Sequence, residues 1–165
     1  MPRTVSIGCQ DFEKLRLRNN FYVDKTAFIK EWWEADDDVT LITRPRRFGK
    51  TLTMSMLEKF FSVEYAGRSN LFEGLNIWSE EKYRELQGTY PVIYISFAPV
   101  KETTFLSAQK KMFFLIAELY NHFAFLLDSG ILKEHEKQYY RKVSFDMEAY
   151  IATDPLKELT GFVMR

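Results

Sequence analysis

The sequence predicts an α/β fold in which a parallel sheet is flanked by helices. Two short runs rich in β-branched and aromatic residues, 39–43 and 92–97, are typical of strands. The second run is almost continuously apolar, as in a parallel strand that is buried on both faces. Because stretches of helical period separate and follow these runs, the order of elements is that of an α/β domain.

Helices are predicted where apolar residues recur every three or four positions. Leu52, Met56 and Phe60 would form the buried stripe of one helix, and Met112 and Ile116 begin the stripe of the longest. Asp154 followed by proline predicts the start of the last helix, with aspartate as the N-cap. The predicted helices cover about 25–35, 50–63, 79–86, 104–127, 131–143, 144–151 and 154–165.

Length and composition indicate one folded domain. The chain has 165 residues, of which 46% are hydrophobic, enough for a real core. We expect a single domain over 1–165, with a lead-in and helix over 1–38 and a partial core over 39–165. The 23 basic and 23 acidic side chains cancel, which argues against a general nucleic-acid coat or an anionic membrane surface as partner.

Cysteine use and hydropathy bear on the compartment. Cys9 is the only cysteine, which excludes an intrachain disulfide and fits a reducing cytoplasm. Residues 1–10 contain no apolar signal core, and no run reaches the roughly 18 apolar residues of a membrane span. We therefore expect a cytoplasmic protein without a membrane partner.

The main functional motif is the GKT loop, residues 44–51, which lies between the first predicted strand and the helix over 50–63. It contains Gly49-Lys50-Thr51, the core of the phosphate-binding pattern G-x-x-x-x-G-K-[ST]. Arg44 stands where that pattern has its first glycine, so the match is incomplete. A basic turn before an amphipathic helix is the alternative interpretation.

The residue types of the GKT loop suit a nucleotide phosphate. A helix N-terminus presents backbone N–H groups to an anion, and Gly49 lets the backbone approach closely. Lys50 would place an ammonium on the β- and γ-phosphates, and the Thr51 hydroxyl would bind Mg²⁺. Arg46 and Arg47 add positive charge. The sequence thus predicts a P-loop site for a magnesium-bound nucleotide.

The acidic half of such a site is missing from the sequence. Hydrolysis of a nucleoside triphosphate needs a strand that ends in Asp or Glu to hold Mg²⁺ and orient water. After the second predicted strand the first acid is Glu102, which lies beyond Pro99. No other run of strand character ends in a carboxylate.

At this point the chain resembles the bacterial AAA-ATPase-like proteins, P-loop ATPases related to the STAND and archaeal-type ATPases. Many of these carry a C-terminal domain similar to restriction endonucleases. The resemblance covers about the whole chain. It rests on Ile7-Gly8, Phe12, Leu15, Tyr22-Val23-Asp24-Lys25-Thr26, the run Leu41 to Leu57, Leu71-Phe72, Leu75, Ile77 and Tyr90-Pro91-Val92-Ile93.

The resemblance implies an ATP-binding module with a Walker A loop. In this family Arg44 in place of glycine is the usual form. Gly49, Lys50 and Thr51 would hold the phosphates and Mg²⁺, and Arg46 and Arg47 belong to the same loop. The motif 24–26 would either hold the loop or approach the nucleotide, and both roles stay open.

The resemblance also implies that the sheet is incomplete at the C-terminus. Family members continue into a Walker B strand, whereas this chain ends at Arg165, so we expect a truncated form with impaired hydrolysis. The Walker B strand would separate the two predicted strands, so we expect non-parental pairing, domain swapping or other self-association, or exposed apolar edges. The alternative function is a non-catalytic structural or interaction fragment. A nucleic-acid contact through the basic loop has thinner support.

Overall fold

The computed structural model describes residues 4–43, 45 and 47–165. They form two compact units, one ending at Val92 and the other beginning at Ile93. The predicted subdivision into 1–38 and 39–165 stays a prediction. The helices of the first unit are α1 (Phe12–Leu17), α2 (Ala27–Ala35), α3 (Lys50–Phe61) and α4 (Glu81–Leu86), with 3₁₀ turns at Val63–Tyr65, Ser69–Leu71 and Asn76–Ser79. Those of the second unit are α5 (Phe105–His122), α6 (Glu134–Lys142) and α7 (Pro155–Val163), with 3₁₀ turns at Ala124–Leu127 and Ile151–Thr153.

The predicted α/β fold, with its P-loop NTPase-like parallel sheet, is wrong. Within the described residues there is no strand ladder, and the β-type pairing is a single parallel bridge between Ser62 and Tyr90. The runs 39–43 and 92–97 are neither helix nor ladder. A strand exists only where a neighbour accepts and donates its backbone hydrogen bonds, and neither run has such a neighbour among these residues.

The apolar character of the two runs has other causes. In the second unit, Ile93 and Ile95 pack against a core made by helices, so their apolarity reflects burial under helices. In the first unit, Val39 and Leu41 are 85% and 82% exposed. Apolar content was therefore a poor guide to sheet formation here, because it reports burial and not a pairing partner.

The first unit is built around the stripe of α3. Met56 and Phe60 are fully buried together with Phe12 and Phe72, and the Phe60 ring lies 5.1 Å from that of Phe72. The backbone N–H of Phe12 donates to Ser55 Oγ at 3.1 Å, which fastens the start of α1 to α3. The predicted stripe of Leu52, Met56 and Phe60 is confirmed, and it fixes the helix that follows the GKT loop.

The second unit is a helical core around α5. The predicted stripe is confirmed at Ile116, Leu119, Phe123 and Leu126, which are buried in this core. Met112 is 41% exposed and lies outside the core, so the prediction was wrong there. The Tyr120 hydroxyl donates to Pro155 O at 2.7 Å, and Tyr140 donates to Tyr120 O at 2.6 Å. Burial raises the pKa of Tyr140 to about 12 and also raises the pKa of Tyr120, so both tyrosines act as neutral hydrogen-bond donors.

Candidate phosphate-binding site

The N-terminus of α3 is the centre of the candidate site. Gly49 is its N-cap with φ +79°, and no side chain caps the helix. Thr53 N–H makes the first intrahelical bond, to Gly49 O at 2.8 Å. The N–H groups of Lys50, Thr51 and Leu52 therefore precede the helical hydrogen bonds, and they lie at the positive end of the helix dipole. This arrangement favours an anion.

The chain enters α3 through a left-handed turn. Arg47 has φ +70°, two residues before the left-handed Gly49. A non-glycine residue in this region carries roughly 1–2 kcal/mol of strain, and such strain is typical of functional loops. The predicted ligand Arg46, like Arg44, lies outside the described residues.

The predicted loop side chains lie together at this helix end. Lys50 Nζ donates to Pro45 O at 3.1 Å, so the ammonium crosses the GKT loop. Thr51 is exposed in the first turn of α3, and Arg47 is exposed immediately before it. Gly49 and Lys50, between these two exposed residues, are half-buried.

Lys25 contributes a second ammonium to the same loop. Its Nζ donates to Phe48 O at 3.3 Å. It also lies 3.5 Å from the position that a Cβ on Gly49 would occupy. The sequence left open whether the motif 24–26 holds the loop or approaches a ligand, and the structure places Lys25 on the loop itself.

The residues on either side of Lys25 form what we call the Asp24 clamp, made of Asp24, Thr26 and the backbone N–H groups of Asn76 and Ile77. One carboxylate oxygen of Asp24 accepts from Thr26 N at 2.8 Å and Thr26 Oγ1 at 2.7 Å, and the other accepts from Asn76 N at 2.7 Å. Ile77 N donates to Thr26 Oγ1 at 3.1 Å. The clamp joins the start of α2 to the 3₁₀ turn at Asn76–Ser79.

The electrostatics of Asp24 agree with this structural role. Partial burial alone would raise the pKa of its carboxyl, but the hydrogen bonds from Thr26 and Asn76 outweigh burial and hold the pKa below its usual value. Thr26 is completely buried. Asp24 and Thr26 therefore stabilise the fold, and they fix the backbone from which Lys25 extends.

Two further findings concern metals and membranes. In the described part of the chain, no three His, Cys, Asp or Glu side chains are grouped so that they could hold a metal ion. The predicted Mg²⁺ contact of Thr51 is of another kind, a single hydroxyl beside a nucleotide.

The described helices include none that is long and apolar enough to cross a membrane.

The candidate site thus combines a glycine N-cap, a left-handed turn and two lysines on one loop at a helix N-terminus. The chain matches the family described as "Predicted AAA-ATPase" over residues 6–154. It therefore belongs to this AAA-ATPase-like family, which confirms the resemblance found in the sequence.

One distant relative is a protein of Azotobacter chroococcum mcd 1 named "Uncharacterized protein in vnfD 5'region". It is 37% identical over 101 residues, which are 58% of this chain and 17% of the relative. The chain thus spans under a fifth of that protein's length. No solved structure matches the chain.

Proposed function

We propose that the chain binds a magnesium-bound nucleoside triphosphate, ATP, through Arg46, Arg47, Gly49, Lys50 and Thr51. The observation that carries the proposal is the N-terminus of α3. There a left-handed glycine is the N-cap, no side chain caps the helix, and the Lys50 ammonium lies on the same loop. Adenine is proposed because of the name of the family.

Each residue has a stated part in the proposal. The N–H groups of the first turn and the Lys50 ammonium bind phosphate oxygens, and the Thr51 hydroxyl binds Mg²⁺. Arg47, and Arg46 by its sequence position, contribute positive charge. Two observations support the proposal: the Lys25 and Lys50 ammonium groups contact carbonyls of the GKT loop, and the loop ends at the N-terminus of α3, where the dipole favours an anion. Bound Mg²⁺ would neutralise charge on the phosphates.

The proposal concerns binding. The sequence-based expectation that hydrolysis is impaired for want of a Walker B carboxylate stays a prediction, and catalytic residues are not assigned. Cytoplasmic location likewise stays a prediction.

The test is thermal unfolding with and without Mg-ATP. A ligand at one hundred times its Kd stabilises the folded state by about 2.7 kcal/mol, which should raise the Tm by roughly 5–11 °C when all 165 residues unfold together. Lys50→Ala should abolish this rise, whereas the matched control Lys14→Ala, on the exposed side of α1, should keep it. An unchanged Tm of the wild-type chain at millimolar Mg-ATP, with no heat of binding by calorimetry, would refute the proposal.

One observation favours the alternative function, a non-catalytic interaction fragment. Val39 and Leu41, which lead into the GKT loop, are 85% and 82% exposed, and a contiguous apolar patch at such residues would suit a contact surface. Under this alternative ATP changes nothing, and self-association or domain swapping appears as a mass that rises with concentration in light scattering. A monomer at all concentrations that also binds ATP would exclude it.

A further inference from the structure

We infer that Lys25 is a second phosphate-binding cation of the GKT loop, held in position by the Asp24 clamp. The inference rests on the proposed function and extends it to a residue 23 positions before the loop. It makes the site one for polyphosphates, bound between ammonium groups from two different elements.

The position of the Lys25 ammonium supports this assignment. Nζ lies 3.3 Å from Phe48 O and 3.5 Å from the Cβ position of Gly49. Gly49 is the N-cap of α3, next to the backbone N–H groups that would bind phosphate. An anion seated on those N–H groups would therefore come within reach of Lys25 by a small rotation of its side chain.

The bond that Lys25 makes is one that a phosphate can replace. Its 3.3 Å length exceeds the roughly 2.7–2.9 Å of a strong bond from a cation to a carboxylate. The ion pairs among the described residues do not include Lys25, whereas Lys30, in α2, pairs with Glu80 at 2.8 Å. A phosphate would thus gain the Lys25 charge without breaking an ion pair.

The Asp24 clamp reduces the entropy that Lys25 loses on binding a ligand. Both of its neighbours are fixed by hydrogen bonds, and its own N–H donates to the Tyr22 hydroxyl at 3.3 Å. The backbone is therefore already ordered, and only side-chain rotation remains to be restricted. Such preorganisation raises affinity without adding contacts.

The geometry also predicts which nucleotides benefit. Lys50 reaches Pro45 O across the loop, whereas Lys25 approaches Phe48 O from the start of α2. Two ammonium groups on separate carbonyls can bind separate phosphates of one polyphosphate chain. Lys25 should therefore matter more for ATP than for AMP.

The experiment is calorimetric titration of the whole chain with Mg-ATP and with AMP, using Lys25→Met, Lys25→Arg and the charge-matched control Lys14→Met. A lost charge-assisted hydrogen bond should weaken ATP binding by Lys25→Met roughly tenfold or more, with a smaller effect on AMP. Lys25→Arg should recover most of the affinity, and Lys14→Met should bind as the wild-type chain does. The Tm of Lys25→Met without ligand should equal that of the wild-type chain.

Two results would overturn the inference alone. One is wild-type ATP affinity in Lys25→Met. The other is a lowered Tm without ligand in both Lys25 variants, which would make Lys25 a structural residue. Absence of ATP binding by the wild-type chain would overturn the proposed function as well, so the two failures can be told apart.

Discussion

Removal of the Asp24 carboxylate should destabilise the first unit, since the Asp24 clamp joins two parts of the chain that are far apart in sequence. Three hydrogen bonds end on this side chain, at 2.8, 2.7 and 2.7 Å. A bond to a charged acceptor contributes roughly 1.5–3 kcal/mol. Two of the bonds come from Thr26 and are not independent, and the site is partly solvated. We therefore expect Asp24→Ala to lower the free energy of unfolding by about 2–4 kcal/mol.

Asp24→Asn separates charge from shape. The amide keeps the size and one oxygen of the carboxylate, but its NH₂ group would face an N–H donor, so we expect a loss of about 1–2 kcal/mol. Urea unfolding with linear extrapolation measures both variants. Asp37→Asn is the matched control, because Asp37 is an exposed carboxylate in the turn after α2. It should change the free energy of unfolding little.

The stability that the Asp24 carboxylate gives should be lost as pH falls. The hydrogen bonds hold the pKa of Asp24 below its usual value in the folded state. The stability that they give is therefore present above the unfolded pKa of about 3.9 and is lost as pH falls through the lower folded pKa. The difference between the wild-type chain and Asp24→Asn should be full at pH 7 and shrink below about pH 4.

A negligible change in the free energy of unfolding of Asp24→Asn would refute this reasoning. If Asp24→Asn and Asp37→Asn had the same free energy of unfolding as the wild-type chain at pH 7, the hydrogen bonds of the clamp would contribute nothing. A loss that persisted unchanged at pH 3 would show instead that packing, and not the charge of the carboxylate, causes the effect.

Two further predictions concern residues with a left-handed backbone. Gly88→Ala should lower the free energy of unfolding in urea by about 2–5 kcal/mol, because φ is +72° and the new Cβ would lie 2.6 Å from Ala66 Cα. Gly67→Ala is the control, since its φ is +76° but a Cβ there meets open space, and it should lower the free energy of unfolding by only about 1–2 kcal/mol. Equal losses for the two variants would contradict the steric argument. Arg47→Gly relieves a φ of +70° and should leave the free energy of unfolding unchanged or raise it by up to about 1 kcal/mol. The same variant should bind Mg-ATP more weakly, and a loss of stability in urea would show that Arg47 is not strained.

Most of the helices were predictable because their signals are local. The helix predicted over 144–151 is wrong, because 144–150 are turns and irregular backbone and a 3₁₀ turn begins only at Ile151. The residues that form the stripe of α3 lie within a few positions of one another, and Asp154 and Pro155 at the start of α7 are adjacent. The structure confirms both features. The short helix α1 was missed because Phe12 and Leu15 give too few repeats to indicate a period. The strands were wrong because pairing requires a distant partner, which no property of the runs themselves reveals.

In the candidate site, too, local features could be predicted from the sequence and contacts between distant residues could not. Gly49, Lys50 and Thr51 are contiguous, so their residue types alone indicated a phosphate loop. The contact of Lys25 with the loop spans 23 residues, and that between Asp24 and Asn76 spans 52. The sequence did contain a signal for them, the motif 24–26, but residue types could not say that its outer members hold the fold while the middle one points to the loop.

The described structure secures the GKT loop unequally on its two sides. On the exit side, α3 is fixed by Phe60 in the core and by the bond from Phe12 N to Ser55 Oγ. On the entry side, Trp32 Nε1 donates to Thr40 Oγ1 at 3.0 Å beside exposed apolar residues, and Lys50 Nζ donates to Pro45 O at 3.1 Å. In a P-loop sheet, backbone pairing would fix that entry strand before ligand arrives. Lys25 contacts the loop where it joins α3, at Phe48 O and beside Gly49, so its ammonium lies on the side of the loop that the core secures.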